Sequence, residues 1–342
     1  MSDLDFDSLL QQSNSLRSAR VRGRYAPSPT GSLHLGNLRT ALYAWLQVRM
    51  TGGEYILRME DLDENRARDG SAQEILDDLR WLGLHWDEGP DIGGPLGPYT
   101  QSERTEIYQQ AMEQLRDRGL VYPCYCTRKD VRKAASAPHG PGGVVYPGTC
   151  RDLDEAGREE RQAQRPGRRP AHRVIVDDRQ ITVEDEIAGR YAENLSADVG
   201  DFVIRRTDSF FAYQLAVVVD DALMGVTDVV RGADLLSSTP RQIYLYRILD
   251  LPVPRFWHAP LMVDTNGERL SKRDGSESLR VLRDEKGWDA ARVIGHLAAT
   301  LGWVEEGHRL TPQDLLEELD YDDLRCPLTA CCEEGPDDHK SS

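Results

Sequence analysis

The stretch that most constrains this chain is APSPTGSLHLGN, residues 26–37, set between a strand pattern and a helix pattern. Upstream, VRGRYA (residues 21–26) reads as a short strand, ended by Pro27 and Pro29. Downstream, Leu35, Leu38, Leu42 and Trp45 recur at helical spacing. EYILRME (residues 54–60) then reads as a second strand. Ser71 and Glu74 have the spacing of a capping box, opening a helix through Leu82 with Gly83 just past its end. Strand, glycine loop, helix, strand and helix in this order predict the start of a doubly wound, Rossmann-like α/β domain.

A loop of this kind at a helix start has a chemical use. The first N–H groups of a helix lack intrahelical acceptors and carry partial positive charge. Glycine lets an anion come close to that backbone, so the spacing fits a phosphate cradle. His34 and Asn37 add side-chain donors beside Gly36. The pattern is neither G-x-x-x-x-G-K-[ST] nor G-x-G-x-x-G. An ordinary strand–helix turn would read the same, so the loop alone leaves both readings open.

Charge narrows the partners. The chain has 342 residues and a formal net charge of −16, which argues against a general nucleic-acid coat but not against a local basic groove. Residues 161–173 hold five arginines and no acid, a hint of a polyanion partner beside the plainer reading of a solvated face. From Asp314 to Ser342 ten acidic residues face two basic ones, so about half of the net charge sits in that tail. Neither a signal-type leader nor an apolar run of membrane-spanning length is visible. A cytoplasmic protein with no membrane partner is expected.

Cys124-x-Cys126 and, beyond a Gly/Pro-rich loop, Tyr146-x-x-x-Cys150 make a candidate structural zinc site. Three thiolates supply most of a tetrahedron. On general chemistry His139 is the better fourth ligand and Tyr146 the unusual one, and three plain buried thiols are the alternative. Cys326, Cys331 and Cys332 lack spaced partners and read as incidental. Further on, Ser238-Thr239-Pro240 reads as a helix start with proline first, WDAARVIGHLAATLGW as helical, and Thr311-Pro312 as another helix start.

RYAPSPTGSLHLGN resembles the HIGH-motif region of class I aminoacyl-tRNA synthetases, in the glutamyl version. APLMVDTNGERLSKRDG (residues 259–275) resembles the KMSKS loop, with Lys272 in the motif and Arg269 where the family has its first lysine. Asn266-Gly267 predicts a tight turn just upstream. Two basic loops at the ends of a doubly wound sheet suit one task, gripping a triphosphate while its α-phosphorus is attacked. The resemblance implies His34 and Lys272 as catalytic residues, with Gly36 and Asn37 joining them on ATP. For the amino acid it implies Arg24, Ala26, Ser28, Glu60, Tyr213 and Arg231. Arg231 suits the side-chain carboxylate, which glutamate has and glutamine lacks. For the metal it implies Tyr146 rather than His139 as fourth zinc ligand.

Within that family the C-x-C…Y-x-x-x-C arrangement and RMEDLD are similar to the stand-alone glutamyl-Q tRNA(Asp) synthetases. Only 67 residues follow Gly275, which is short for an anticodon-binding region. The implied activity is tRNA-independent activation of L-glutamate with Mg2+–ATP and its transfer to queuosine in the anticodon of tRNA(Asp). A truncated glutamyl-tRNA synthetase and an inactive nucleotide- or tRNA-binding paralogue are the alternatives. The expected organisation is a loose extension (1–20), a first catalytic half (21–122) and an insertion with the zinc site (123–200). A second catalytic half (201–275), a helical part (276–325) and an acidic tail (326–342) follow, in a monomer.

Overall fold

Helix α1 (Phe6–Ala19) leads into β1 (Arg22–Tyr25), and the glycine loop carries the chain into α2 (Leu35–Arg49) and back to β2 (Glu54–Leu57). β1 and β2 pair in parallel, Arg24 opposite Ile56, so the opening is a β–α–β unit as expected. Gly23 is required at that crossover: a Cβ there would collide with Val48 of α2. The computed structural model describes residues 5–63, 67–134, 144–262 and 278–326.

The rest of the chain supplies α3 (Ser71–Trp81), α4 (Thr105–Asp117), β3 (Val121–Cys124), α5 (Arg128–Ala134), α6 (Glu155–Ala163), β4 (Ala171–Val174), β5 (Gln180–Asp185) and β6 (Gly189–Asn194). Then follow α7 (Leu195–Asp198), β7 (Phe202–Arg205), α8 (Tyr213–Leu223), β8 (Asp228–Gly232), α9 (Thr239–Ile248), β9 (Arg255–Ala259), α10 (Ala290–Ala299) and α11 (Pro312–Glu318). Six strands form the main sheet in the order β2-β1-β8-β9-β5-β6, parallel throughout except for the β5–β6 hairpin at its edge. One apolar cluster, with Leu42 and Trp45 of α2, covers one face, and another, with Leu215 and Val218 of α8, covers the other. This is the doubly wound α/β arrangement that the opening pattern predicts. A second sheet, β3-β4-β7, is antiparallel, and its strand β3 ends on Cys124.

Several local expectations change. The first twenty residues are not loose where they are described: α1 is capped by Asp5, which accepts from the Ser8 amide at 2.8 Å, and Phe6 is buried. The capping box at Ser71 does not form. Gly70, at φ 80°, caps α3 instead, Ser71 is buried as the first helical residue, and Glu74 accepts from Ser32 Oγ at 2.6 Å. Thr239 opens α9, so Pro240 stands second in it. The Thr311 capping box forms, with Pro312 opening α11. Residues 123–200 divide between the two sheets, because β5 and β6 join the main one. Cys326, read as incidental, is disulfide-bonded. Among the described residues, no helix is long and apolar enough to cross a membrane.

Candidate active site and metal centre

The glycine loop stands at the N-terminus of α2, where the expected cradle needs it. His34 is the N-cap residue without a side-chain cap bond, and the first turn of α2 carries no acid. Gly36 and Asn37 are exposed, and among the described residues nothing lies within 4 Å of where a Gly36 Cβ would be. Among the described residues, the helix end therefore presents its donors and positive dipole uncovered. Lys272, Arg269 and the Asn266-Gly267 turn lie outside the described residues, as does His139. The described chain resumes at Ser278, which bridges His34, and the Leu279 amide donates to Leu33 O at 3.0 Å.

The second strand is shorter than expected, and the residues beyond it build the other side of the site. The Arg58 amide donates to Tyr25 O at 3.0 Å and the Glu60 amide to Pro27 O at 2.9 Å. Glu60 is thereby tied to the loop that contains Ala26 and Ser28. Ser28 is exposed and Ala26 half-buried. Arg24, pointing to the α8 face of the sheet, donates to Asp221 at 3.1 Å and to Val230 O at 3.0 Å. Tyr213 begins α8. The charges of Arg231, Glu60 and Arg24 all act on its phenol, so the four expected side chains share one neighbourhood.

Sequence reasoning missed the groups that hold this neighbourhood together. Asp221 bridges Arg24 and Arg58, the latter at 2.7 Å, and Arg58 reaches Glu60 at 3.0 Å. Asp220 accepts from Arg104 at 2.6 Å and from Tyr108 at 2.8 Å, with Arg58 Nε 3.7 Å away. Burial pushes the Asp221 carboxyl up, but Arg24 and Arg58 outweigh it and hold it below the ordinary range. Burial raises Glu60 despite Arg58 and Arg24. The signal was available in VVVDDALMG, where two adjacent acids interrupt an apolar helix.

Arg231 differs from the other arginines. It is buried, and its bonds run to neutral groups: Gln242 Oε1 at 2.7 Å, Thr239 Oγ1 at 2.8 Å and His258 Nε2 at 3.0 Å. Burial lowers its pKa, and Arg24 adds to the effect. Arg24, Arg58 and Arg104 are matched by Glu60, Asp220 and Asp221, three cations against three anions. Arg231 has no direct carboxylate partner among the described residues; the anion of its own hydrogen-bond chain, Asp185, stands one residue removed, behind His258.

At the second sheet, Cys124, Cys126 and Cys150 place their sulfurs within 4.8 Å of one another, a cluster able to hold a metal ion. Cys126 and Cys150 lie 3.6 Å apart, close to the roughly 3.8 Å that two thiolates span on a tetrahedral zinc. Tyr146 Oη lies 3.4 Å from Cys124 Sγ and 3.8 Å from Cys126 Sγ, and accepts from the Cys150 amide at 3.0 Å. The donor set converges as a fourth ligand requires. Hydrogen bonds from Cys126 and Cys150 favour Cys124 as thiolate. Arg173 donates to it at 3.2 Å while its guanidinium lies 3.8 Å from the centre of the Tyr146 ring. Within the basic run, then, Arg173 is committed to this centre, and Arg165 to Asp130 and Tyr125 O. The run is not a row of uncommitted surface charges.

Residues 20–318 match the family described as tRNA synthetases class I (E and Q), catalytic domain. The chain is similar to the Glutamyl-Q tRNA(Asp) synthetase of Symbiobacterium thermophilum, at 51% identity over 87% of this chain and 92% of that protein. It is also similar to Glutamate--tRNA ligase 2 of Alkalilimnicola ehrlichii, at 43% identity, over 89% of this chain but 62% of the relative. Among solved structures, the glutamate-tRNA synthetase of Elizabethkingia anophelis superposes with a TM-score of 0.76 at 31% identity, over 89% of this chain and 66% of that one.

Proposed function

The chain belongs to the class I tRNA synthetases (E and Q), and from that premise we propose that it activates L-glutamate with ATP, without tRNA, and transfers it to queuosine in the anticodon of tRNA(Asp). One observation carries the choice of amino acid: Arg231 is buried, and its direct hydrogen-bond partners among the described residues are all neutral. Glutamate, with two carboxylates and one ammonium, brings one net negative charge, whereas glutamine brings none. In this reading Glu60 takes the ammonium and Arg24 the α-carboxylate, beside Ala26, Ser28 and Tyr213. Arg231 takes the side-chain carboxylate. The acceptor follows the relatives named glutamyl-Q tRNA(Asp) synthetase, which reach 51% identity and of which a larger share is covered than of the glutamate--tRNA ligases.

The chemistry then needs no nucleophile of the enzyme. The α-carboxylate of glutamate attacks the α-phosphorus of Mg2+–ATP in line, and pyrophosphate leaves. The α2 N-terminus with Gly36 and Asn37, and His34 at its cap, orient the phosphates. Lys272, on the segment that rejoins the described chain beside His34, offsets the charge developing on them. A hydroxyl of queuosine next attacks the carbonyl of the mixed anhydride, and AMP leaves. Cys124, Cys126, Cys150 and Tyr146 are assigned one zinc ion with a structural role, since four protein ligands leave no open position for chemistry.

ATP–pyrophosphate exchange with each amino acid, with and without RNA, tests the first step. Glutamate alone is expected to support it. Labelled glutamate offered with an isolated queuosine-containing anticodon stem-loop tests the second. Label on the stem-loop supports the reading, and label on the terminal adenosine of whole tRNA overturns it in favour of a truncated glutamyl-tRNA synthetase.

A further inference from the structure

Three neighbouring strands carry a chain of buried polar groups that ends on Arg231. Arg231 on β8 stands in register with His258 on β9, and β5, carrying Asp185, pairs with the other edge of β9. Asp185 Oδ2 lies 2.5 Å from His258 Nδ1, while Oδ1 accepts from the amides of Ile187, Ala188 and His258 at 3.0, 2.8 and 3.1 Å. A carboxylate so surrounded can only accept, so His258 Nδ1 carries the proton. The neutral ring then has its lone pair on Nε2, where the Arg231 Nε–H donates at 3.0 Å. His258 is almost fully buried and stacks near Phe256, whose ring also lies 5.3 Å from the Arg231 guanidinium carbon.

The choice of histidine has a consequence for selectivity. A carboxylate in its place would orient Arg231 equally well but would pair with its charge directly. Deprotonation at the wrong nitrogen would set N–H against N–H. We propose that His258 is a positioning residue for amino-acid selection: fixed by Asp185 as the Nδ1–H tautomer, it orients Arg231 while leaving its charge available to the substrate side-chain carboxylate. The inference rests on the glutamate reading above. The described residues engage three of the five guanidinium N–H groups, leaving two for that carboxylate.

The test is steady-state ATP–pyrophosphate exchange. His258→Leu removes the acceptor and should raise KM for glutamate about 10- to 100-fold, the scale of a hydrogen bond to a charged group, with kcat and KM for ATP within a few-fold. His258→Gln keeps an acceptor near the Nε2 position and should recover most of the loss. Asp185→Asn, which releases the tautomer, should also raise KM for glutamate. Circular dichroism and melting of each variant identify those that do not fold, and His258→Gln keeps the test open if His258→Leu is among them. Equal glutamate KM in folded His258→Leu and wild type overturns the inference, as does failure of folded His258→Gln to recover it. If the wild type instead exchanges only with an amino acid lacking a side-chain carboxylate, the glutamate reading itself falls.

Discussion

Replacing Arg231 by glutamine separates binding from stability at one position. The guanidinium is buried, and its neighbours Gln242, Thr239 and His258 are neutral. In the free protein this charge is desolvated without a direct ion pair among the described residues, so its loss removes an unfavourable term as well as three hydrogen bonds to a charged group, about 1.5–3 kcal/mol each. The two effects oppose, and the melting midpoint of Arg231→Gln is expected within a few degrees of wild type, about what 1 kcal/mol produces. With glutamate bound the balance changes, because the variant leaves a buried carboxylate without its cation. Loss of one partner of such a pair costs about 2–5 kcal/mol, so kcat/KM for glutamate in pyrophosphate exchange should fall roughly 30- to 4,000-fold. Glutamine should lose far less, and discrimination between the two should collapse. Asp221→Asn, next door, should behave oppositely. It strips the carboxylate shared by Arg24 and Arg58 and should destabilise the free protein by about 3–5 kcal/mol. Exchange kinetics with both amino acids and thermal unfolding decide the matter. An Arg231→Gln protein that melts as low as Asp221→Asn, or that keeps the wild-type preference for glutamate, would refute the charge argument.

Elemental analysis should find about one zinc per chain, lost when Cys124 and Cys126 become serine; a metal-free wild type with unchanged melting would remove the metal from the centre. Lys272→Ala should lower kcat for activation roughly 10²–10³-fold with little change in glutamate binding, and wild-type exchange rates would mean the loop is misassigned. Gly36→Asp meets no steric obstacle among the described residues but adds an anion at the α2 N-terminus, so KM for ATP should rise more than about 10-fold, read from the same assay at saturating glutamate. His172 on β4 is held down to about 4, first by burial and then by Arg116 and Arg205, and its buried Nδ1 has no hydrogen-bond partner among the described residues. Its folded pKa lies below the unfolded value, so its contribution is full above about pH 6.5 and is lost as pH falls through 4. Unfolding midpoints across that window should fall less steeply in His172→Gln than in wild type.

The parts legible in the sequence are those set by neighbours along the chain. The strand–loop–helix opening follows from Pro27, Pro29 and the periodicity of Leu35, Leu38 and Leu42. The Thr311 cap follows from a side chain reaching an amide three residues on. Cys124 and Cys126 share a strand end, so their spacing announces a common ligand. Even locally the backbone can overrule a side-chain pattern: Gly70, in the left-handed region, took the cap that Ser71 seemed to offer, and the helix starts one position earlier.

What the tertiary structure alone decided is which charges are matched. Arg24 meets Asp221 across 197 positions, Arg104 meets Asp220 across 116, and His258 meets Asp185 across 73. No periodicity couples such pairs, because they become neighbours only when parallel strands and α8 are brought together by packing. In the sequence Arg24 and Arg231 are alike, two arginines in short apolar strands. In the fold one is neutralised by Asp221, and the other keeps its charge among Gln242, Thr239 and His258. Buried charge is expensive unless paired, so a guanidinium whose direct partners are all neutral is a property of the assembled site, and it is the feature on which the proposed preference for an acidic side chain rests.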